Sequence, residues 1–192
     1  QAEGQWRQLP PPDTEKTTVA VLGLGALGQD TARMLSALGF RVIGWSRRPK
    51  DIADVECVHG AGALPSVLGQ SQIVVCLLAL TDETRGIIDA RTLAALPRGA
   101  YVINPARGAH VVDEDLLAAL DSGHIAGAAL DVFHDEPLAS EHRFWSHPKV
   151  VVTPHISADA LPRTAAEQVA DNIHRALAGQ PLINPVDMAR GY

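Results

Sequence analysis

The sequence predicts an α/β protein, a doubly wound parallel sheet with helices on both faces. Two observations carry this. Strand-like and helix-like runs alternate along the chain, and the strand runs are continuously apolar, as from Ile73 to Leu78. Continuous rather than alternating apolar runs mark strands buried on both faces, and the alternation of elements marks parallel pairing through helical crossovers. Such crossovers are right-handed.

Taken in order, Gln1 to Lys16 is polar, contains Pro10, Pro11 and Pro12, and reads as an extended linker. Trp6 on that linker calls for a surface to pack on, in its own domain or in an absent segment. The first strand is Thr18 to Leu22. Asp30 to Leu38 reads as helix, with Leu27, Thr31, Leu35 and Leu38 on one apolar face, Met34 beside them and Gly39 ending it. Arg41 to Trp45 is the second strand and Glu56 to His59 the third. Ala61 to Leu68 fits a small helix, which tolerates Pro65 only near its first turn. After the Ile73 to Leu78 strand, Thr81 to Gly86 is a polar loop and Ala90 to Leu96 a helix stopped by Pro97. Ala100 to Ile103 is the next strand. Asp113 is expected to cap a helix through Leu120, with Gly123 at its end, and Ile125 to Leu130 and Val150 to Val152 supply the last strands. Leu161, Ala165, Val169, Ile173 and Leu177 give the final helix an apolar stripe, and Gly179 closes it.

The composition bounds the function. In 192 residues, 46% are apolar and 20% charged, which excludes a disordered chain and suits one globular domain. A formal charge of −6 argues against nucleic-acid or anionic-membrane partners. Cys57 and Cys76 lack C-x-x-C spacing, so a disulfide framework is not expected and a reducing cytoplasm is. No stretch is long and apolar enough to span a bilayer, and the N-terminal residues lack the order of a signal peptide.

The chemistry begins at Val-Leu-Gly-Leu-Gly-Ala-Leu-Gly, where Gly23, Gly25 and Gly28 follow a strand and open a helix. In that context G-x-G-x-x-G is a dinucleotide seat of the Rossmann type: one glycine makes the turn, one admits the pyrophosphate, and one lets the helix close on the strand. Taken alone the motif also serves S-adenosylmethionine sites and plain helix packing. Proteins that bind NAD place a carboxylate near the end of the second strand, roughly twenty residues on. Here Ser46, Arg47 and Arg48 stand there instead, and guanidinium groups pair with a 2′-phosphate that a carboxylate would repel. NADP(H) is therefore expected in preference to NAD(H), which stays possible. The expected cofactor contacts are Gly23, Gly25, Ala26, Leu27, Gly28, Ser46, Arg47, Arg48, Asn104 and Asp131.

Loops at the carboxyl ends of later strands carry the reactive candidates, because ligands bind there in open parallel sheets. Arg107 follows one strand, Asp131 and Glu136 another, and His155 the last. This set suits reduction of a 2-keto acid. An arginine binds the carboxylate and polarises the carbonyl, a histidine protonates the oxygen, and a carboxylate such as Glu136 orients the imidazole. Asp131 is placed to hold the nicotinamide side. His134, His142 and His147, in an acidic stretch, match no common zinc spacing, and no metal is expected.

Together the segments resemble the D-isomer-specific 2-hydroxyacid dehydrogenases. The matches are the glycine turn, Leu-Thr-Asp-Glu-Thr-Arg-Gly-Ile-Ile, Asn-Pro-Ala-Arg-Gly, Leu-Asp-Val-Phe-His-Asp-Glu-Pro and Thr-Pro-His-Ile. The Trp-Ser-Arg turn and the ending Val186 to Tyr192 resemble more narrowly the bacterial glyoxylate/hydroxypyruvate reductases of the A type. The resemblance implies Arg107, Glu136 and His155 as the catalytic arginine, carboxylate and histidine. It also implies glyoxylate or hydroxypyruvate as substrate, NADPH as cofactor, and a homodimer. Members of the family carry an N-terminal substrate-domain segment that this chain lacks. The expected division is a linker at 1–16, a dinucleotide-binding domain at 17–160, and at 161–192 a helix and tail returning toward the missing domain. The departures from the family pattern are Pro105, His134, and Ser157 with Ala158 where relatives often have glycines. An alternative is a dinucleotide-binding interaction module like the corepressors that share this fold, without turnover.

Overall fold

The computed structural model describes residues 4–6, 8, 13–158, 161–186 and 188. The chain forms two compact units, Gln1–Pro154 and His155–Tyr192. The Pro10 to Pro12 part of the expected linker and most of the ending after Val186 lie outside the described residues. Thr14–Lys16, assigned to the linker, is one turn of 3-10 helix, and Trp6 is fully exposed.

The first unit is built on strands β1 (Thr18–Leu22), β2 (Arg41–Ser46), β3 (Glu56–His59), β4 (Ile73–Cys76), β5 (Ala100–Asn104), β6 (Ile125–Leu130) and β7 (Val150–Val152). They form one seven-stranded sheet in the order β3-β2-β1-β4-β5-β6-β7, and every pair is parallel. Every residue of β1 is buried, as a central strand covered on both faces requires. The apolar run from Ile73 ends as strand at Cys76, but Leu77 N–H still donates to Leu22 O at 2.7 Å, so the ladder continues one bond further.

Helices cover the two faces unequally. Helix α1 (Ala26–Ala37) packs on one face, where Val19, Val21, Leu24, Ala32, Val42 and Val75 form the smaller core. Helices α2 (Leu64–Leu68), α3 (Ala90–Ala95), α4 (Asp113–Asp121) and α5 (Arg143–Ser146) contribute Leu68, Leu93, Leu116, Leu117, Leu120 and Phe144 to the larger core on the other. Pro65 falls in the first turn of α2, the position that tolerates it. Cys76 lies within the larger core, and burial pushes its thiol up to about 12.

Two local expectations need correction. The inward face of α1 is not Leu27, Thr31, Leu35 and Leu38. Leu27, Met34 and Leu38 are exposed, and the buried positions are Gly28 and Ala32, with Leu35 packed at the margin. The helix lies so close to the sheet that only small residues fit beneath it, so the bulky stripe read from spacing turns outward. Asp113 is the first residue of α4 rather than its cap; Val112 occupies the cap position without a side-chain bond. The Asp113 carboxylate instead faces His134 Nε2 at 3.6 Å and His142 Nε2 at 3.5 Å, and burial raises its pKa despite the opposing influence of both imidazoles.

The second unit contains α6 (Pro162–Leu177). Its tail folds back along it: Asn172 Oδ1 accepts from Ile183 N–H at 2.8 Å, and Asn172 Nδ2 donates to Ile183 O at 3.2 Å. The expected stripe is present, but Leu161, Val169, Ile173 and Leu177 are all exposed. Among the described residues no helix is long and apolar enough to cross a membrane.

The corrected face of α1 has a direct test in urea unfolding. Ala32→Leu, which forces a larger side chain beneath the helix, is expected to destabilise by about 1–3 kcal/mol. Met34→Ala is expected to change stability by less than about 0.5 kcal/mol; the reverse ranking would contradict the packing described. A thiol-reactive dye near neutral pH is expected to label Cys57 in the native chain and to reach Cys76 only after unfolding.

Candidate functional site

The strand order reverses between β1 and β4, and the crevice beyond their carboxyl ends is where such a sheet binds ligands. The glycine turn lies there. Gly23 has φ of +101°, and a Cβ on it would sit 2.5 Å from Leu77 O, so the turn between β1 and α1 requires glycine. A Cβ on Gly28 would overlap the carbonyl oxygen of Gly23, so helix and turn touch through bare backbone. Gly25 caps α1 without any side-chain hydrogen bond, and the space where its Cβ would stand is open. Gly25, Ala26 and Leu27 are exposed. Unpaired N–H groups at an uncapped, accessible helix start fit a pyrophosphate.

At the end of β2 the basic turn is held from inside. Ser46 is buried, and its Oγ donates to Arg48 O at 2.7 Å. Trp45 Nε1 donates to Gly60 O at 2.9 Å and so fixes the strand beneath it. Arg47 and Arg48 are exposed. Glu83, on the loop after β4, is held below the usual carboxylate range chiefly by the Thr81 side chain, with the Arg47 charge contributing. The loop after β4 therefore lies near this turn.

Beyond β5, Asn104 is buried and uses its side chain within its own turn. Its Oδ1 accepts from Ala106 N–H at 3.1 Å and its Nδ2 donates to Arg107 O at 2.9 Å. An Asx turn of this kind accommodates Pro105, which has no N–H to place. Arg107 is exposed, with Nη1 donating to Ala106 O at 2.6 Å. Behind it, a Cβ on Gly108 would overlap the Phe133 carbonyl group, so the loops after β5 and β6 meet backbone to backbone.

Asp131, at the end of β6, is buried and accepts from Thr153 Oγ1 at 2.5 Å, while its N–H donates to Asn104 O at 3.1 Å. Glu136 is exposed, and its Oε1 accepts from Phe133 N–H at 2.9 Å. His134 Nε2 bonds Val111 O at 2.8 Å and so ties the same loop to the start of α4. Among the described residues no group of three or more His, Cys, Asp or Glu side chains converges to hold a metal ion.

The structure thus gathers Asn104, Arg107, Asp131 and the loop of Glu136 at neighbouring strand ends, with the glycine turn across the switch point. His155 heads the second unit, in the left-handed region with φ of 56°. A non-glycine residue there is sparsely populated and marks a constrained position. Sequence reasoning missed Thr153, although Thr-Pro-His was in view, and His110, whose ring lies under Arg107. A single histidine near the end of a polar loop carries no spacing signal.

Residues 1–157 match the family model described as D-isomer specific 2-hydroxyacid dehydrogenase, NAD binding domain. Curated relatives include glyoxylate/hydroxypyruvate reductase A of Yersinia enterocolitica, 44% identical, and of Serratia proteamaculans, 46% identical; each comparison covers all of this chain. The chain spans 61% of the length of those relatives. A D-isomer specific 2-hydroxyacid dehydrogenase from Xanthobacter autotrophicus, solved with NADPH and MES, superposes with a TM-score of 0.95 at 51% identity. It covers 100% of this chain and 79% of that one. An NADPH-dependent glyoxylate/hydroxypyruvate reductase from Sinorhizobium meliloti, solved with NADP and sulfate, gives 0.94 at 44% identity over 100% of this chain and 62% of that one. With the family model matching most of its length, the chain belongs to the D-isomer specific 2-hydroxyacid dehydrogenases and carries their NAD-binding domain.

Proposed function

We propose that this chain is the coenzyme-binding part of an NADPH-dependent reductase that converts a small 2-keto acid, glyoxylate or hydroxypyruvate, to the 2-hydroxy acid. The observation that carries the reading is the pairing of an open glycine seat with the Ser46–Arg48 turn in place of a carboxylate. The NADPH-bound and NADP-bound relatives support the same choice of cofactor.

In this reading Gly23, Gly25, Ala26, Leu27 and Gly28 receive the pyrophosphate, and Arg47 and Arg48 pair with the 2′-phosphate while Ser46 holds their turn. Asp131, fixed by Thr153, faces the nicotinamide side, and Asn104 serves the cofactor by shaping the loop beside it. Reduced nicotinamide supplies the hydride when bound. Arg107 binds the substrate carboxylate and polarises the carbonyl. His155 delivers the proton to the carbonyl oxygen, and Glu136 orients the imidazole. The proposal includes a cytoplasmic homodimer. It also includes a return of α6 and its tail to a substrate domain, which the exposed stripe of α6 supports.

NADPH is expected to bind this chain more tightly than NADH in a fluorescence titration. Arg47→Ser with Arg48→Ser is expected to weaken NADPH by about 10- to 100-fold, the scale of lost charged hydrogen bonds, and to leave NADH unchanged. Equal affinity of the parent chain for both cofactors would sink the NADP reading. Turnover is measured as NADPH oxidation with each keto acid, on this chain and with a relative's N-terminal segment restored. In the restored protein, His155→Asn is expected to lower kcat by about 10²- to 10⁴-fold. Cofactor binding without turnover there would favour the non-catalytic module.

A further inference from the structure

Arg107 is exposed, but its backbone is gripped from below. Its carbonyl oxygen accepts from Asn104 Nδ2 at 2.9 Å, from the His110 N–H at 3.2 Å, and from His110 Nδ1 at 3.1 Å. The His110 ring is fully enclosed. A carbonyl only accepts, so Nδ1 carries a hydrogen, and a neutral ring then keeps a bare lone pair on Nε2. Nε2 is buried and has no hydrogen-bond partner among the described residues. Two backbone groups favour a charged ring, that of Arg107 and that of Ala79, on the loop after β4, whose carbonyl also accepts from Thr84 Oγ1 at 2.7 Å.

Burial is the largest influence on the ring and lowers its pKa below the ordinary histidine value. The Ala79 and Arg107 backbones oppose that shift, and the Arg107 and Arg85 charges add to it. The main chain around the ring joins the same loops. Gly86 N–H donates to Ala109 O at 2.8 Å, Ile88 N–H to His110 O at 2.9 Å, and Val112 N–H to Ile88 O at 3.0 Å.

We propose that His110 is the positioning residue of the Arg107 loop: neutral, with its hydrogen on Nδ1, it holds the Arg107 carbonyl from within the core and sets where the guanidinium leaves the strand end. This rests on the proposed role of Arg107 in holding the substrate carboxylate. The ring suits the task because only one of its nitrogens is asked to donate. The other has no hydrogen-bond partner among the described residues, so a second proton there places a charge in an enclosed site.

Two variants separate positioning from packing. His110→Asn keeps a donor near the place of Nδ1, whereas His110→Leu keeps bulk and removes the donor. Nitrogen NMR of the ring in the parent chain is expected to show the neutral Nδ1–H form near neutral pH. A charged ring, or a hydrogen on Nε2, overturns the proposal whether or not the protein turns over. In the protein with its N-terminal segment restored, His110→Leu is expected to raise KM for the keto acid about tenfold, on the scale of one buried hydrogen bond. NADPH affinity stays unchanged, and His110→Asn returns KM to within about twofold of the parent. If His110→Leu does not fold, His110→Asn alone decides: a tenfold rise in KM there overturns the proposal, and near-parent KM supports it. If no form turns over, the keto-acid reading fails, and the ring NMR still decides whether the clamp exists.

The depressed pKa fixes a further sign. The unfolded chain binds the proton more readily than the folded one, so stability from this group is full above about pH 6.5, the unfolded value. It falls as pH drops through that value toward the folded pKa. His110→Asn is expected to lose less stability between about pH 6.5 and 5 than the parent; equal losses argue against a buried neutral ring.

Discussion

The contact between Gly28 and the carbonyl of Gly23 is the constraint on which the rest of the first unit depends. It draws α1 down until backbone meets backbone, which leaves full burial beneath it to Gly28 and Ala32, with Leu35 at the margin, and turns Leu27, Met34 and Leu38 outward. At the start of the same helix the cap position is Gly25, which offers no side-chain hydrogen bond to the first N–H groups. The glycine motif therefore sets both how the helix packs and what its first turn is able to bind.

The parallel sheet extends this logic to the other loops. Because every strand pair is parallel, the loops after β1, β2, β4, β5 and β6 all emerge at one edge. They meet there through backbone groups more than through side chains: Leu77 on Gly23, Gly86 on Ala109, Phe133 on Gly108. Buried or half-buried polar side chains then fix the loops individually, Ser46 for the basic turn, Asn104 and His110 for Arg107, half-buried Thr153 for Asp131. The exposed groups able to meet a ligand rest on this buried layer.

Much of this was legible in the sequence, for identifiable reasons. Continuous apolar runs such as Thr18–Leu22 and Ile125–Leu130 have no other stable home than a covered parallel strand, and both were read to the residue. The glycine spacing and the arginines after β2 were visible because residue type alone carries their chemistry. The face of α1 was misread because spacing counts apolar side chains and does not see how near the sheet lies. Asp113 looked like a cap because an acidic residue at a helix start usually complements the dipole, while its imidazole neighbours come from a loop distant in sequence. His110 was invisible for a related reason: its role is defined by a carbonyl, and main-chain acceptors leave no mark on residue identity.

The meeting of Gly108 with the Phe133 carbonyl has a bearing on how this family can change. Two loops joined without side chains share one geometry, so neither can be re-aimed by altering its own residues while the other stays in place. A change that tilts the Arg107 loop must also displace the loop that follows Asp131. Variation that keeps both loops in place is thereby confined to side chains outside this joint, where a single replacement changes the exposed surface and leaves its foundations alone.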